Sequence, residues 1–149
     1  MGKIFLIRHG ESGPSSTWGG DFQRSLTDRG KTTLLQLADA LKNEVKAPVK
    51  IHCSSAKRTV ETATILAKHL NGSIHKVADL YNGEVVAYLD LLRTLEINSQ
   101  ILVVGHNPTI TEVHERLTGT LCLFEPGTCA ILEKQADGGY QQVALLHAR

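Results

Sequence analysis

The chain is poor in cysteine, in charge imbalance and in long apolar runs, and each shortage excludes something. Three cysteines in 149 residues, Cys53, Cys122 and Cys129, show no close paired spacing. That argues against a disulfide framework and predicts a reducing compartment. Lysine and arginine (16) barely outnumber aspartate and glutamate (15). Proteins that bind nucleic acid or membrane surfaces usually carry a basic excess, so neither partner is expected, and any anion must be held by a local cluster. No apolar run approaches the ~20 residues of a membrane helix. The N-terminus also lacks the charged, apolar and small-residue succession of a secretory signal, so a soluble, cytoplasmic protein is expected. The seven histidines form neither a two-histidine helical zinc motif nor a Cys–His cluster, which predicts no metal.

What is present suits one ordinary domain spanning residues 1–149. A hydrophobic fraction of 42% supports a real core, and 21% charged residues is usual for a soluble globule. "KIFLIR" at Lys3–Arg8 reads as a strand buried on both faces. "GESGPSSTWGGDFQRS" breaks all periodicity with glycine, proline and serine and is a long loop, a kind that tends to be functional. Thr27 then caps a helix with Leu34, Leu37, Ala38 and Leu41 on one stripe. "VKIHCS" is a second strand, and "SAKRTVETATILAKHL" a helix facing Val60, Ala63, Leu66, Ala67 and Leu70 inward until Asn71-Gly72 stops it. "SIHKV" fits a short edge strand, "GEVVAYLDLLRTLEI" carries a helical stripe, and "QILVVG" is another apolar strand. Asn107-Pro108 predicts a cap and a first-turn proline for a helix ending at Gly119. The tail, "TCAILEK", Gly138-Gly139 and "YQQVALLH", reads as a β-hairpin. The alternation predicts one α/β domain, mostly parallel, with an antiparallel C-terminal hairpin.

Ligands of open α/β sheets bind beyond the carboxyl ends of the strands. Three such ends carry polar chemistry here: Arg8-His9-Gly10; Cys53-Ser54-Ser55 leading to Arg58 in a first helical turn; and His106-Asn107-Pro108 at another helix start. Taken singly, each has a plain structural reading. Together they aim two arginines, two histidines and two helix N-termini at one rim, which suits a phosphoryl group. Helix N-termini supply free amides, arginine forks match phosphate oxygens, and a neutral imidazole can attack phosphorus.

These segments also carry a resemblance. "RHGES" after an N-terminal strand resembles the signature of the histidine phosphatase superfamily, which includes the cofactor-dependent phosphoglycerate mutases. "SSAKRTVETA" is similar to its second arginine segment, "VVGHNP" to its second histidine segment and "LTDRG" to the start of its first helix. The resemblance runs from Lys3 to Leu132. It implies a three-layer phosphoglycerate mutase-like domain, with a mostly parallel sheet flanked by helices. It makes His9 the nucleophile that forms a phosphohistidine. Arg8, Arg58 and His106 would hold the phosphoryl oxygens, with the Asn107 amide as a further donor, and no cofactor would be needed. His9 should have one ring N–H held by a carbonyl near Gly10, leaving the other nitrogen free.

Departures from the family pattern narrow the branch. Ser15 stands where mutase-type members carry asparagine on the substrate. About three dozen residues separate Leu70 from His106, which leaves no room for a lid or for the insertion bearing the family's acid. That acid falls near Asn82, with Glu84 a substitute whose simpler reading is a helix-start charge. An alkoxide leaving group gains ~10²–10⁴-fold from a general acid, whereas an imidazole leaving from phosphohistidine needs less help. The length and "VGHNP" therefore point to the short bacterial-type phosphohistidine phosphatases, acting on a phosphorylated protein. A phosphatase of small phosphate esters, drawing a proton from Glu11, Asp21 or Glu84, is the alternative. A catalytically silent module that binds phosphoproteins is the alternative of another class. Cys53 precedes Arg58 by five, one short of the Cys-x5-Arg loop of cysteine phosphatases.

Overall fold

A computed structural model describes residues 2–14, 19–82 and 84–148. Their strands form one six-stranded sheet in the order β3-β2-β4-β1-β5-β6. The strands are β1 (Lys3–Arg8), β2 (Val49–Cys53), β3 (Gly72–Lys76), β4 (Gln100–Gly105), β5 (Cys129–Lys134) and β6 (Tyr140–Leu146). The first four run parallel, whereas β5 lies antiparallel to β1 and β6 antiparallel to β5. This is the mixed α/β sheet with a C-terminal hairpin that the alternation of elements predicted.

Period-two alternation sorts each central strand onto two faces. Phe5 and Ile7 of β1 join Ile51 and Leu102 on one face, and α1 (Asp28–Leu41) and α2 (Lys57–Leu70) cover it with Leu34, Leu37, Leu66 and Leu70. Ile4 and Leu6 join Val103 on the other face, under α3 (Val85–Leu92) and α4 (Thr109–Thr118), which contribute Tyr88, Leu92, Ile110 and Val113. Ile4 to Ile7 are fully buried, each side chain stabilising the fold by roughly 1.5–3 kcal/mol. A strand sandwiched between helical layers must be apolar on both sides, which is why "IFLI" lacks alternation in its sequence.

Thr27 caps α1 as expected: its Oγ1 accepts from Gly30 N at 2.9 Å and donates to Glu11 Oε1 at 2.7 Å. A side chain on Gly30 would meet the Glu11 carbonyl, so the helix start is clamped against the segment that follows β1. Three elements differ from expectation. α2 begins at Lys57, after an Ala56 N-cap residue, rather than at Ser55. α3 ends at Leu92, short of the predicted stripe. Pro108 occupies the N-cap position of α4, not its first turn, and follows a cis peptide bond from Asn107.

Candidate active site

The register of β1 against β4 builds the site. Arg8 pairs with Gly105, so the next residues, His9 and His106, leave neighbouring parallel strands side by side; His9 N donates to the Gly105 carbonyl at 3.2 Å. Their ring centroids lie 5.5 Å apart. β2 ends one strand further along, where Ser54 N donates to the Val104 carbonyl. The turn after it brings Arg58, in the first turn of α2, over both imidazoles. The result is a cleft of about 590 Å³. His9, His106 and Arg58 are only 6–7% exposed at its base.

His9 Nδ1–H donates to the Gly10 carbonyl at 2.7 Å, the contact expected from the sequence. A nitrogen that donates to a carbonyl carries the proton, so Nε2 keeps its lone pair. Arg58 Nε donates to that Nε2 at 3.3 Å, and Arg58 Nη2 donates to His106 Nδ1 at 3.3 Å. His106 therefore carries its proton on Nε2 and donates to Ser54 Oγ at 2.8 Å. Burial, with the neighbouring His106 and the Arg58 and Arg8 cations, outweighs the Gly10 carbonyl and pushes His9 down to about 3. Burial and the Arg58 cation push His106 down to about 4. Both rings are neutral near pH 7, the state a nitrogen nucleophile requires.

Arg8 approaches from the other side. Its Nη1 donates to the Phe124 carbonyl at 2.9 Å, while its buried Nε has no partner among the described residues. Burial and the Arg58 charge both push Arg8 down from the ordinary arginine value. A cationic pocket with an orphaned donor is primed for an oxyanion. Asn107 lines the same cleft, but its side chain is committed: Nδ2 donates to the Phe124 carbonyl and Oδ1 accepts from Thr111.

The structure thus brings Arg8, His9, Arg58, His106 and Asn107 together. Ser15, expected to face substrate, lies outside the described residues. Glu84 does not line the cleft: it stands exposed at the N-cap position of α3. Tyr81 and Asn82 line the cleft instead. Cys53 is buried in the α1–α2 core, and burial pushes its thiol up to about 11, the opposite of an activated nucleophile. Among the described residues no group of three or more His, Cys, Asp or Glu is arranged to hold a metal.

Sequence reasoning missed Thr62 and Tyr88, and weighed Asp21 only as a proton source rather than as a residue that holds Arg58. Thr62 Oγ1 accepts from Gly10 N at 3.1 Å and donates to the Arg58 carbonyl at 2.8 Å, tying the β1 end to α2. Tyr88 Oη accepts from His106 N at 3.1 Å. Asp21, in a 3-10 turn (Asp21–Gln23), accepts from Arg58 Nη2 at 3.1 Å through Oδ2 and from Arg58 Nη1 at 2.8 Å through its carbonyl. Only the Thr62 position, one turn after Arg58 on the same helix face, left a readable signal.

The profile of the histidine phosphatase superfamily (branch 1) matches residues 4–85, more than half of the chain. The chain belongs to this superfamily. The matched span includes Arg8, His9 and Arg58; His106 lies beyond it and joins the site through the β1–β4 register. This histidine phosphatase fold is shared by solved structures at low identity. One is a SixA from Agrobacterium tumefaciens described as a candidate phosphohistidine phosphatase (22% identity, TM-score 0.84, covering 97% of this chain and 96% of that one). Another is the protein histidine phosphatase SixA complexed with tungstate (22%, 0.79, 98% and 97%). A third is the phosphoserine phosphatase of Entamoeba histolytica in complex with 3-phosphoglyceric acid (16%, 0.74, 97% and 96%). No curated protein matches the sequence. Superfamily membership and the shared fold thus agree with the cationic, two-histidine cleft described above.

Proposed function

We propose that this phosphatase removes the phosphoryl group from a phosphohistidine side chain of another protein, through a phosphohistidine formed on its own His9, without a metal. His9 Nε2 attacks phosphorus, the substrate P–N bond breaks, and its electron pair leaves with the substrate imidazole. Arg8, Arg58 and His106 hold the three equatorial oxygens, and in phosphoryl transfer such positioning and charge stabilisation is most of the catalysis. Water then forms a bond to phosphorus as the His9 N–P bond breaks, releasing inorganic phosphate and the free imidazole. The three cysteines are free and buried, which agrees with a cytoplasmic location.

One observation carries the substrate reading: among the described residues, the carboxylates lining the cleft are engaged as hydrogen-bond acceptors. Two carboxylates line it, Glu11 and Asp21. Glu11 accepts from the Thr27 hydroxyl. Asp21, which burial would raise, is held down at about 2 by hydrogen bonds from Tyr81, Arg24 and Arg58. The family's acid position carries Asn82. An imidazole leaving group tolerates this; an alkoxide forgoes the ~10²–10⁴-fold that a general acid supplies.

The test is turnover of a phosphohistidine-bearing protein beside a panel of phosphate monoesters, with His9→Ala as control. Fast loss of protein phosphohistidine with feeble ester hydrolysis supports the reading. Rapid ester turnover would move the assignment to a metabolite phosphatase, and wild type equal to His9→Ala on every substrate would leave a binding module.

A further inference from the structure

The cleft has a rim as well as a base, and the rim is built around a carboxylate. Asp21 is half exposed in its side chain, at 49%, and stands above the buried imidazoles. Its Oδ2 accepts from Arg58 Nη2 at 3.1 Å and from the Tyr81 hydroxyl at 2.8 Å; its Oδ1 accepts from Arg24 Nη1 at 3.1 Å. Tyr81 packs edge-on against His106, with centroids 5.7 Å apart, and against Phe22 at 4.9 Å. The Tyr81 ring is thereby fixed as one wall, and Asp21 sits at its polar end.

In-line displacement puts the leaving atom on the side of phosphorus opposite His9 Nε2. Because His9 lies at the base, that side is the rim. A phosphate ester of a metabolite would bring oxygen lone pairs, and commonly further negative charge, toward a carboxylate that stays ionised. A phosphoimidazole would bring an aromatic ring and, once protonated on its distal nitrogen, an N–H and a positive charge.

We propose that Asp21 and Tyr81 form the seat of the departing imidazole, with the Asp21 carboxylate accepting the distal N–H of the substrate ring. This rests on the phosphohistidine reading and names the residue that selects for it. An anion beside the ring favours its protonated form. In that form, cleavage of the P–N bond returns the bonding pair to the departing nitrogen and releases a neutral imidazole whose distal N–H is already in place. No further proton donor is required. The same carboxylate takes one arm of the Arg58 fork, Nη2, in the free enzyme, so simple phosphate must compete with it there. The charged and titratable groups around Asp21 are Arg24, Arg58, Tyr81 and, beyond Arg58, His106.

The experiment compares wild type with Asp21→Asn on phosphoimidazole and on p-nitrophenyl phosphate, with inorganic phosphate as inhibitor. Asp21→Asn should lower the ratio of kcat/KM for phosphoimidazole to that for the ester by tenfold or more. It should also move the alkaline fall of phosphoimidazole turnover down by about one pH unit, and tighten phosphate inhibition because Arg58 is released. A second comparison does not depend on the variant's activity level. Phosphoimidazole methylated on its distal nitrogen is a fixed cation that cannot donate to Asp21, so, relative to its uncatalysed hydrolysis, wild type should discriminate against it and Asp21→Asn should not. If wild type prefers phosphoimidazole and Asp21→Asn keeps both that preference and the methyl discrimination, the seat is overturned while the phosphohistidine reading stands. If wild type prefers the ester, both fall.

Discussion

The Tyr88 hydroxyl accepts a hydrogen bond from the backbone amide of His106 at 3.1 Å and donates to the Leu80 carbonyl at 3.3 Å. It reaches there because Gly105 has no side chain; a Cβ on Gly105 would meet that hydroxyl and the ring behind it. The tyrosine is fully buried, and burial raises it to about 12. Tyr88→Phe leaves a buried N–H and a buried carbonyl short of a partner, a loss of about 1–3 kcal/mol. Urea unfolding should show that loss, with turnover reduced because His106 is less firmly held.

Ser54→Ala isolates the tautomer of His106. The serine oxygen accepts from His106 Nε2 and leaves Nδ1 toward Arg58. Without it the ring can exchange tautomers, and the hydrogen bonds from His106 Nε2 and from Ala56 N are both lost, at about 1 kcal/mol each. Turnover should fall about fivefold, the thermal midpoint should drop by several degrees, and the Nε2–H resonance of His106 should disappear from its hydrogen-bonded position.

Acid should destabilise the fold through the site itself. His9 and His106 titrate near 6.5 when unfolded but at about 3 and about 4 when folded. Between those values the unfolded chain binds more protons, so stability is full above about pH 6.5 and falls as pH drops toward 4. Asp21, at about 2 folded against 3.8 ordinarily, adds a further loss below that. Thermal midpoints measured from pH 7 to pH 4 should decline, and the decline should be shallower in His9→Ala and in His106→Ala. A flat profile in wild type would mean these rings are protonated in the native state.

Asn82→Glu places a carboxyl near where the family resemblance puts an acid, on a residue that lines the cleft. Ester turnover should rise by about tenfold or more, the lower end of general-acid assistance, and acquire a new alkaline limb in its pH profile. No gain with any monoester would show that the missing acid is not what restrains ester hydrolysis.

Much of the molecule was legible without coordinates. "IFLI" and "ILVV" read as buried strands because continuous branched apolar runs have few other uses, and Thr27 read as a helix start because the cap chemistry is local. His9, Arg8, Arg58 and His106 stood out because charged and imidazole groups at the ends of apolar strands are costly without a ligand to meet. Glu84 stands at the N-cap position of α3, the plainer of its two readings, and whether it also lined the cleft was not legible because sequence distance from Asn82 does not record how a turn runs.

The alternation of elements, the residues at the strand ends and the superfamily to which they belong can be read from the chain alone, since each depends on a few neighbouring residues. That Arg8 pairs with Gly105, and so that His9 and His106 share a base, emerges only in the folded molecule. So does the hold of Tyr88 and Ser54 on His106, and the placing of Asp21 on Arg58 and Tyr81. These contacts join residues 18 to 97 positions apart in the chain. Contacts over such separations depend on the register of parallel strands and on where surface turns fold back, and no short-range pattern records either.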